Sequence, residues 1–225
     1  MKCTKSDGKC CGACKKNFKI KRYLPDNRFS QTYELGFLSG DETVLDALKQ
    51  IKNEQDGSLT FRSSCEMGMC GSCAAVVNGK PVLMCQTFIK DLPQTQTTIE
   101  PMRNFPIIKD LAVDLDGAFS HLEKTAPYFE KPQKNSINKP DECIKCMLCV
   151  SACPVYGFNN KFAGPAAGVI SQRYKKGLIG ENGVYECSHV GECSRVCPKN
   201  VDPANIMQRL KLTGLRDILM KKHDA

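Results

Sequence analysis

No feature constrains this chain more than the spacing of its cysteines. Cys143, Cys146, Cys149 and Cys153 fall as C-x2-C-x2-C-x3-C and run straight into Pro154, and an altered second run reads Cys187-x2-Val190-x2-Cys193-x3-Cys197-Pro198. Earlier, Cys65, Cys70, Cys73 and Cys85 form C-x4-C-x2-C with a distant fourth member. Thiols with two residues between them converge on a common centre when the backbone coils tightly around it. The earlier set predicts one tight loop around a small body with its last ligand on a neighbouring strand, and short helical patches are expected around the Cys-Pro pairs of the later runs.

The chain has 15 cysteines in 225 residues, which implies either disulfides in an oxidising compartment or thiolate ligands in a reducing one. The first 22 residues are rich in Lys and Cys and lack the apolar stretch of an export signal, and nowhere do about 18 apolar residues run together. The expectation is a cytoplasmic, metal-binding chain with no membrane span of its own. The net charge of +8 is scattered, apart from residues 15–22 and Lys221-Lys222. No base-stacking aromatic motif accompanies it, so it reads as a solvated surface and not as a nucleic-acid footprint.

C-x4-C-x2-C followed by a distant cysteine is the plant-type 2Fe-2S spacing, and C-x2-C-x2-C-x3-C-P is the bacterial ferredoxin run. A zinc ribbon is the competing reading of the first set. Such ribbons pair two-cysteine knuckles on separate loops, whereas here three ligands crowd one loop, with Gly68 and Gly71 letting its backbone turn inward. In two-cluster ferredoxins the fourth cysteine of a run ligates the other cluster. Crossing the two runs in this way assigns Cys143, Cys146, Cys149 and Cys197 to a 4Fe-4S cluster, and Cys153, Cys187 and Cys193 to a second site. Val190 stands where that site's fourth thiolate would be, which points to 3Fe-4S; a 4Fe-4S cluster completed by solvent or by a non-cysteine group such as His189 is the alternative. The three sets take eleven cysteines. Cys3, Cys10, Cys11 and Cys14 remain as either a further metal site or a redox-active thiol tail.

The organisation follows from periodicity. Residues 18–24 alternate apolar and polar, Pro25-Asp26-Asn27 marks a turn, and residues 32–37 extend again. Thr43 with Asp41 and Glu42 opens an amphipathic helix carrying Val44, Leu45, Leu48 and Ile51 on one face, ending before Asp56-Gly57. Strands at 74–78 and 81–85 flank Asn78-Gly79, with a last strand near 97–100. The expected architecture is α+β. It comprises a cysteine-rich extension (1–16), a 2Fe-2S unit (17–103), a connector (104–140) with a helical stretch at 111–124, and a mostly helical unit (141–225) closing with a helix over 203–212. No dinucleotide fingerprint, P-loop or nucleophile–base pair is present, so no catalytic residue is assigned. His121, His189 and His223 read as structural or surface residues.

The sequence resembles the iron-sulfur subunit of the succinate dehydrogenase and fumarate reductase family, more closely the fumarate reductase side. The resemblance spans roughly residues 17–215. It rests on the order of the two cluster halves and on Ser63-Ser64-Cys65-Glu66-Met67-Gly68-Met69-Cys70-Gly71-Ser72-Cys73, Asn104-Phe105-Pro106, Gly164-Pro165-Ala166 and Val196-Cys197-Pro198-Lys199. It implies a β-grasp ferredoxin domain, then a helical two-cluster ferredoxin domain, bound to a flavoprotein subunit carrying FAD that interconverts succinate and fumarate. The chain would relay single electrons between that flavin and a quinol or another donor such as a thiol, the alternative being a free-standing ferredoxin-like carrier. A membrane-anchor or cysteine-rich third subunit would complete the complex at the inner face of the membrane, as in anaerobic respiration. Pro154 and Lys211 match neighbours of the quinone site. Two departures stand out: Pro154-Val155-Tyr156-Gly157-Phe158 occupies a stretch where quinone-using relatives often carry Trp, of which this chain has none, and Ser188 replaces a His found in some relatives.

Overall fold

The computed structural model describes residues 14–24, 27–37, 41–93, 95–125, 139–159, 162–174 and 183–223. Cys3, Cys10 and Cys11 lie outside these residues, and of Cys14 only the backbone is described. The first half is a five-stranded sheet of order β2-β1-β5-β3-β4, made of β1 (Cys14–Leu24), β2 (Asn27–Phe37), β3 (Ala74–Val77), β4 (Lys80–Leu83) and β5 (Gln96–Glu100). β1 pairs antiparallel with β2 and parallel with β5. The alternation read at 18–24 has its cause in this pairing, because Phe18 and Ile20 enter the core while Lys19 and Lys21 do not.

Helix α1 (Val44–Glu54) packs Val44, Leu45, Ala47, Leu48 and Ile51 into that core. Thr43 caps it: its hydroxyl accepts from the Asp46 amide, and Asp46 returns a bond to the Thr43 amide. Asn78 and Gly79, both at positive φ, turn β3 into β4.

Beneath the sheet lies a buried charge network. Arg22 Nε donates to Asp110 Oδ1 at 2.8 Å, and its Nη1 donates to Asp56 Oδ2 at 2.5 Å and to the Tyr33 hydroxyl at 2.7 Å. Asp110, fully buried, also accepts from the Thr60 amide at 2.9 Å. Burial opposes the charge on Arg22, but the two carboxylates outweigh it and hold its pKa above the ordinary value. Burial, followed by the bond to Asp56, pushes Tyr33 up to about 12.

Several elements differ from expectation. β1 begins at Cys14, inside the stretch assigned to the extension, and β2 begins at Asn27, five residues early, because the two strands pair residue for residue from Cys14–Phe37 to Leu24–Asn27. The helix expected over 111–124 is α2 (Asp116–Thr125). Residues ahead of it instead form a hairpin of β6 (Ile107–Lys109) and β7 (Ala112–Val113), which carries Asp110 back to Arg22. That tertiary ion pair overrides the local helical pattern.

The second half contains α3 (Leu148–Ser151), α4 (Gly164–Arg173), α5 (Glu192–Arg195) and α6 (Pro203–His223), the last running well past the expected end at 212. α4 lies against α6 so closely that a Cβ added to Gly168 would sit 2.3 Å from the Met207 sulfur. One apolar cluster runs through both halves, from Phe18 and Leu48 by way of Met102, Leu111 and Val113 to Met147, Leu148 and Ile170.

Candidate metal centres

The loop after residue 64 turns by successive positive-φ residues, Glu66, Gly68 and Gly71. This winding aims backbone amides inward: the N–H groups of Met69 and Cys70 both donate to Cys65 Sγ at 3.3 Å. Cys73 and Cys85 are buried with sulfurs 3.3 Å apart. Cys85 was expected on a strand; β4 ends at Leu83, and Cys85 sits in a 3-10 turn (Met84–Gln86). The Met84 amide donates to the Cys73 carbonyl at 3.1 Å, so the two cysteine-bearing segments are pinned together directly.

The thiols of this set differ electrostatically. The Ser72 hydroxyl, 3.1 Å from Cys70 Sγ, joins nearby backbone amides in lowering Cys70 to about 6, whereas burial raises Cys73 to about 12.

The two later runs fold with one backbone pattern. A 3-10 turn precedes each, Pro140–Glu142 and Val184–Glu186. Positive φ then recurs at the same offsets: 56° at Lys145 and 57° at His189, 63° at Met147 and 84° at Gly191. A four-residue helix follows each, α3 and α5. Cys146 and Val190 therefore occupy the same place in two copies of one loop.

The loops enclose two pockets. Cys143, Cys146, Cys149 and Cys197 line one of about 380 Å³, with Ile144, Met147, Ala166, Val169 and Val201 supplying apolar walls. Cys153, Cys187 and Cys193 line the other, of about 300 Å³, where His189 and Val190 also stand. Val190 is 52% exposed. Burial is the leading cause that lifts the thiols of Cys143, Cys149 and Cys153, takes Cys146 to about 11 and takes Cys193 to about 12. Buried thiols so arranged are costly to ionise alone. They are matched to a body that brings positive charge, releases their protons and binds thiolates. Sulfide-bridged iron fits that donor chemistry in all three places.

The sites are contiguous. Gly71 of the first loop lies on the second: a Cβ added there would sit 2.6 Å from Cys146 Cβ and 2.7 Å from Cys146 Cα. The second and third sites share both runs, since Cys149 lies within α3 and Cys153 just beyond it, while Cys193 lies within α5 and Cys197 just beyond it.

Sequence reasoning missed Asn104 as a site residue, although it lies in Asn104-Phe105-Pro106. Its Nδ2 donates to the carbonyls of Val150 and Cys153, both at 2.8 Å, while the Arg103 amide donates to Ser151 Oγ at 2.9 Å. Pro154 lines the three-cysteine pocket. Lys211 Nζ donates to the Cys187 carbonyl at 2.5 Å. Of the three histidines, His189 lines this pocket, His121 is partly buried on α2, and the side chain of His223 is not among those described.

Known proteins carry these features in the same order. The model of a 2Fe-2S iron-sulfur cluster binding domain matches residues 17–120, and that of a 4Fe-4S dicluster domain matches residues 139–201. The fumarate reductase iron-sulfur subunit of Mycobacterium tuberculosis is 39% identical, covering 90% of this chain and 94% of that one. Its counterpart in Haemophilus influenzae is 36% identical over 91% of this chain and 94% of its own length. The succinate dehydrogenase iron-sulfur subunit of Coxiella burnetii is 33% identical over 89% and 97%. Among solved structures, a chain of the apo Mycobacterium smegmatis Sdh1 complex shares the fold, with a TM-score of 0.78 at 24% identity, covering 91% of this chain and 97% of that one.

Proposed function

This chain belongs to the family of fumarate reductase and succinate dehydrogenase iron-sulfur subunits, and from that premise we propose that it relays single electrons between the flavin of a partner subunit and a quinol or other donor. It is the iron-sulfur subunit of a multi-subunit oxidoreductase, and the dicarboxylate chemistry belongs to the flavoprotein partner. The observation that carries the relay is the contiguity of the three thiol sets, from Gly71 against Cys146 and onward through α3 and α5.

In this reading residues 17–103 form the unit in which Cys65, Cys70, Cys73 and Cys85 hold a 2Fe-2S cluster. Residues 104–140 join it to the unit at 141–225. There Cys143, Cys146, Cys149 and Cys197 hold a 4Fe-4S cluster, and Cys153, Cys187 and Cys193 hold a 3Fe-4S cluster. When bound, such clusters accept and return one electron at a time, which matches a two-electron flavin to one-electron steps. The protein's own part is to exclude water with apolar walls, to donate amides to sulfur as Met69 and Cys70 do to Cys65, and to withhold a fourth thiolate at Val190.

Among the described residues no helix is long and apolar enough to cross a membrane. A place at the inner face of the membrane would come through a third subunit, either a membrane anchor or a cysteine-rich protein.

Anaerobic purification with partners attached tests the proposal, followed by iron and sulfide analysis, EPR, and assays of succinate oxidation and fumarate reduction against quinols, thiols and dyes. The expected result is activity with at least one dicarboxylate, and an oxidised sample showing a 3Fe-4S signal. Val190→Cys is expected to abolish that signal and add one iron. Activity with neither dicarboxylate defeats the proposal, and an unchanged signal in Val190→Cys defeats the ligand assignment.

A further inference from the structure

Helix α3 carries Cys149, which lines the second pocket, and leads directly into Cys153, which lines the third, so this short stretch is a wall that the two sites share. A helix of four residues is too short to hold its own shape. A four-residue step of chain spans about 6 Å when helical and about 13 Å when extended. Thiolate bonds at Cys149 and Cys153 would tie the two ends to different bodies without fixing the distance between them. The restraint has to come from outside the stretch.

Asn104 supplies it. An asparagine amide carries two N–H donors on one nitrogen, and here Nδ2 donates at 2.8 Å both to the Val150 carbonyl, inside α3, and to the Cys153 carbonyl, beyond its end. The Val150 carbonyl also receives the Cys153 amide at 3.1 Å, so the three groups close one turn. Beside it the Arg103 amide donates at 2.9 Å to the hydroxyl of Ser151, which is buried. The backbone at Asn104 has a φ of 68°, a left-handed conformation that asparagine adopts more readily than most residues. On the other flank of the amide a Cβ added to Gly157 would sit 2.6 Å from Asn104 Oδ1. The next residue continues the contact: the Phe105 ring meets that of Tyr156 with centroids 6.3 Å apart, and Tyr156 packs over Gly164 at the start of α4. Two turns of chain, one ending at Cys153 and one leading to Gly157, are thus gripped by a single side chain from the connector.

We propose that Asn104 is a positioning residue that fixes the stretch from Cys149 to Cys153, and through it the separation and orientation of the two later clusters. Each passage of an electron between them oxidises one site by one electron and reduces its neighbour by one, with no bond made or broken. Relative placement is therefore what the polypeptide controls at this step, and the control is exerted from a residue 45 positions before Cys149.

The inference rests on the cluster assignment proposed above, and EPR of the intact complex, purified anaerobically, separates the two. In reduced samples the magnetic coupling between the 4Fe-4S cluster and its terminal neighbour depends on their separation and orientation, which iron content alone does not report. Asn104→Gly keeps the positive φ and removes both donors. Asn104→Asp keeps the shape and removes them as well, while Gly157→Ala leaves them in place and pushes the amide from its other side. All three variants are expected to retain the parent 2Fe-2S signal and the iron of the later sites, and to lose the single parent coupling in favour of a broadened one. A parent-like coupling in any variant that keeps its iron overturns the inference, as does an equal disturbance of the 2Fe-2S signal. Loss of iron from the later sites in all three variants makes the contact merely structural and also overturns it. Absence of the 3Fe-4S signal from the oxidised, unmodified complex instead removes the reading beneath it.

Discussion

The two halves of the molecule build their thiol sites on different foundations. In the first, the cysteine loop hangs from a five-stranded sheet whose interior carries its own ionic lock: Arg22 between Asp110 and Asp56, with Tyr33 alongside. Lys16, also buried there, donates to the carbonyls of Ile89 and Leu92 and has its pKa lowered by desolvation. In the second half the buried polar side chains among the described residues are Ser151 and Ser171 only. Its two thiol-lined pockets lie among the short helices and the apolar residues packed around them. The difference predicts that the first half closes its core without a cluster, whereas the second depends on filled pockets to hold α3 and α5 in place.

Removing iron with a chelator under anaerobic conditions is the strongest way to break that comparison. Hydrogen exchange is expected to show the amides of α3 and α5 losing most of their protection while β1, β2 and α1 keep much of theirs. Uniform loss across both halves would show that the sheet is no more self-sufficient than the helices.

Arg22→Met attacks the opposite side. It leaves the Asp110 carboxylate buried without its cation, a change worth about 3–5 kcal/mol. Thermal melts should show the sheet yielding first, with the EPR signals of the second half persisting at temperatures where the sheet has opened.

Gly168→Ala probes the joint between α4 and α6. Its Cβ would meet the Met207 sulfur, with an expected cost of about 1–3 kcal/mol. Iron retention should fall at the two later sites and not at the first.

Acid gives the smallest effect. Hydrogen bonds from Ser58 first, then Tyr33 and Arg22, hold the Asp56 carboxyl well below the usual carboxylate range. Its contribution is complete above the unfolded value of about 3.9 and is lost as pH falls through the lower folded one. Asp56 is partly open to solvent, so the contribution is modest. Denaturant midpoints measured from about pH 6 down to pH 3 should fall less steeply for Asp56→Asn than for the parent.

Much of the site was legible in the sequence because ligand spacing is a local property. The positive φ values that wind the loops fall at Gly68, Gly71 and Gly191, where glycine signals a turn, but also at Glu66, Lys145, Met147 and His189, where the side chain gives no such sign. The hairpin at Asn78-Gly79 and the cap at Thr43 were equally readable. The β6–β7 hairpin was not, since the partner of Asp110 lies 88 residues away. Nor were the roles of Asn104 and Lys211, which act on carbonyls 49 and 24 residues distant.

The sequence by itself determined how many thiols each loop offers and which position in the second run lacks one, because both follow from covalent spacing along the chain. Only the tertiary structure decided that Gly71 rests on Cys146 and that Lys211 donates to the carbonyl of Cys187. Those contacts join segments far apart in the chain, and they are set by packing and by the pairing of buried polar groups, which no local pattern of residues records.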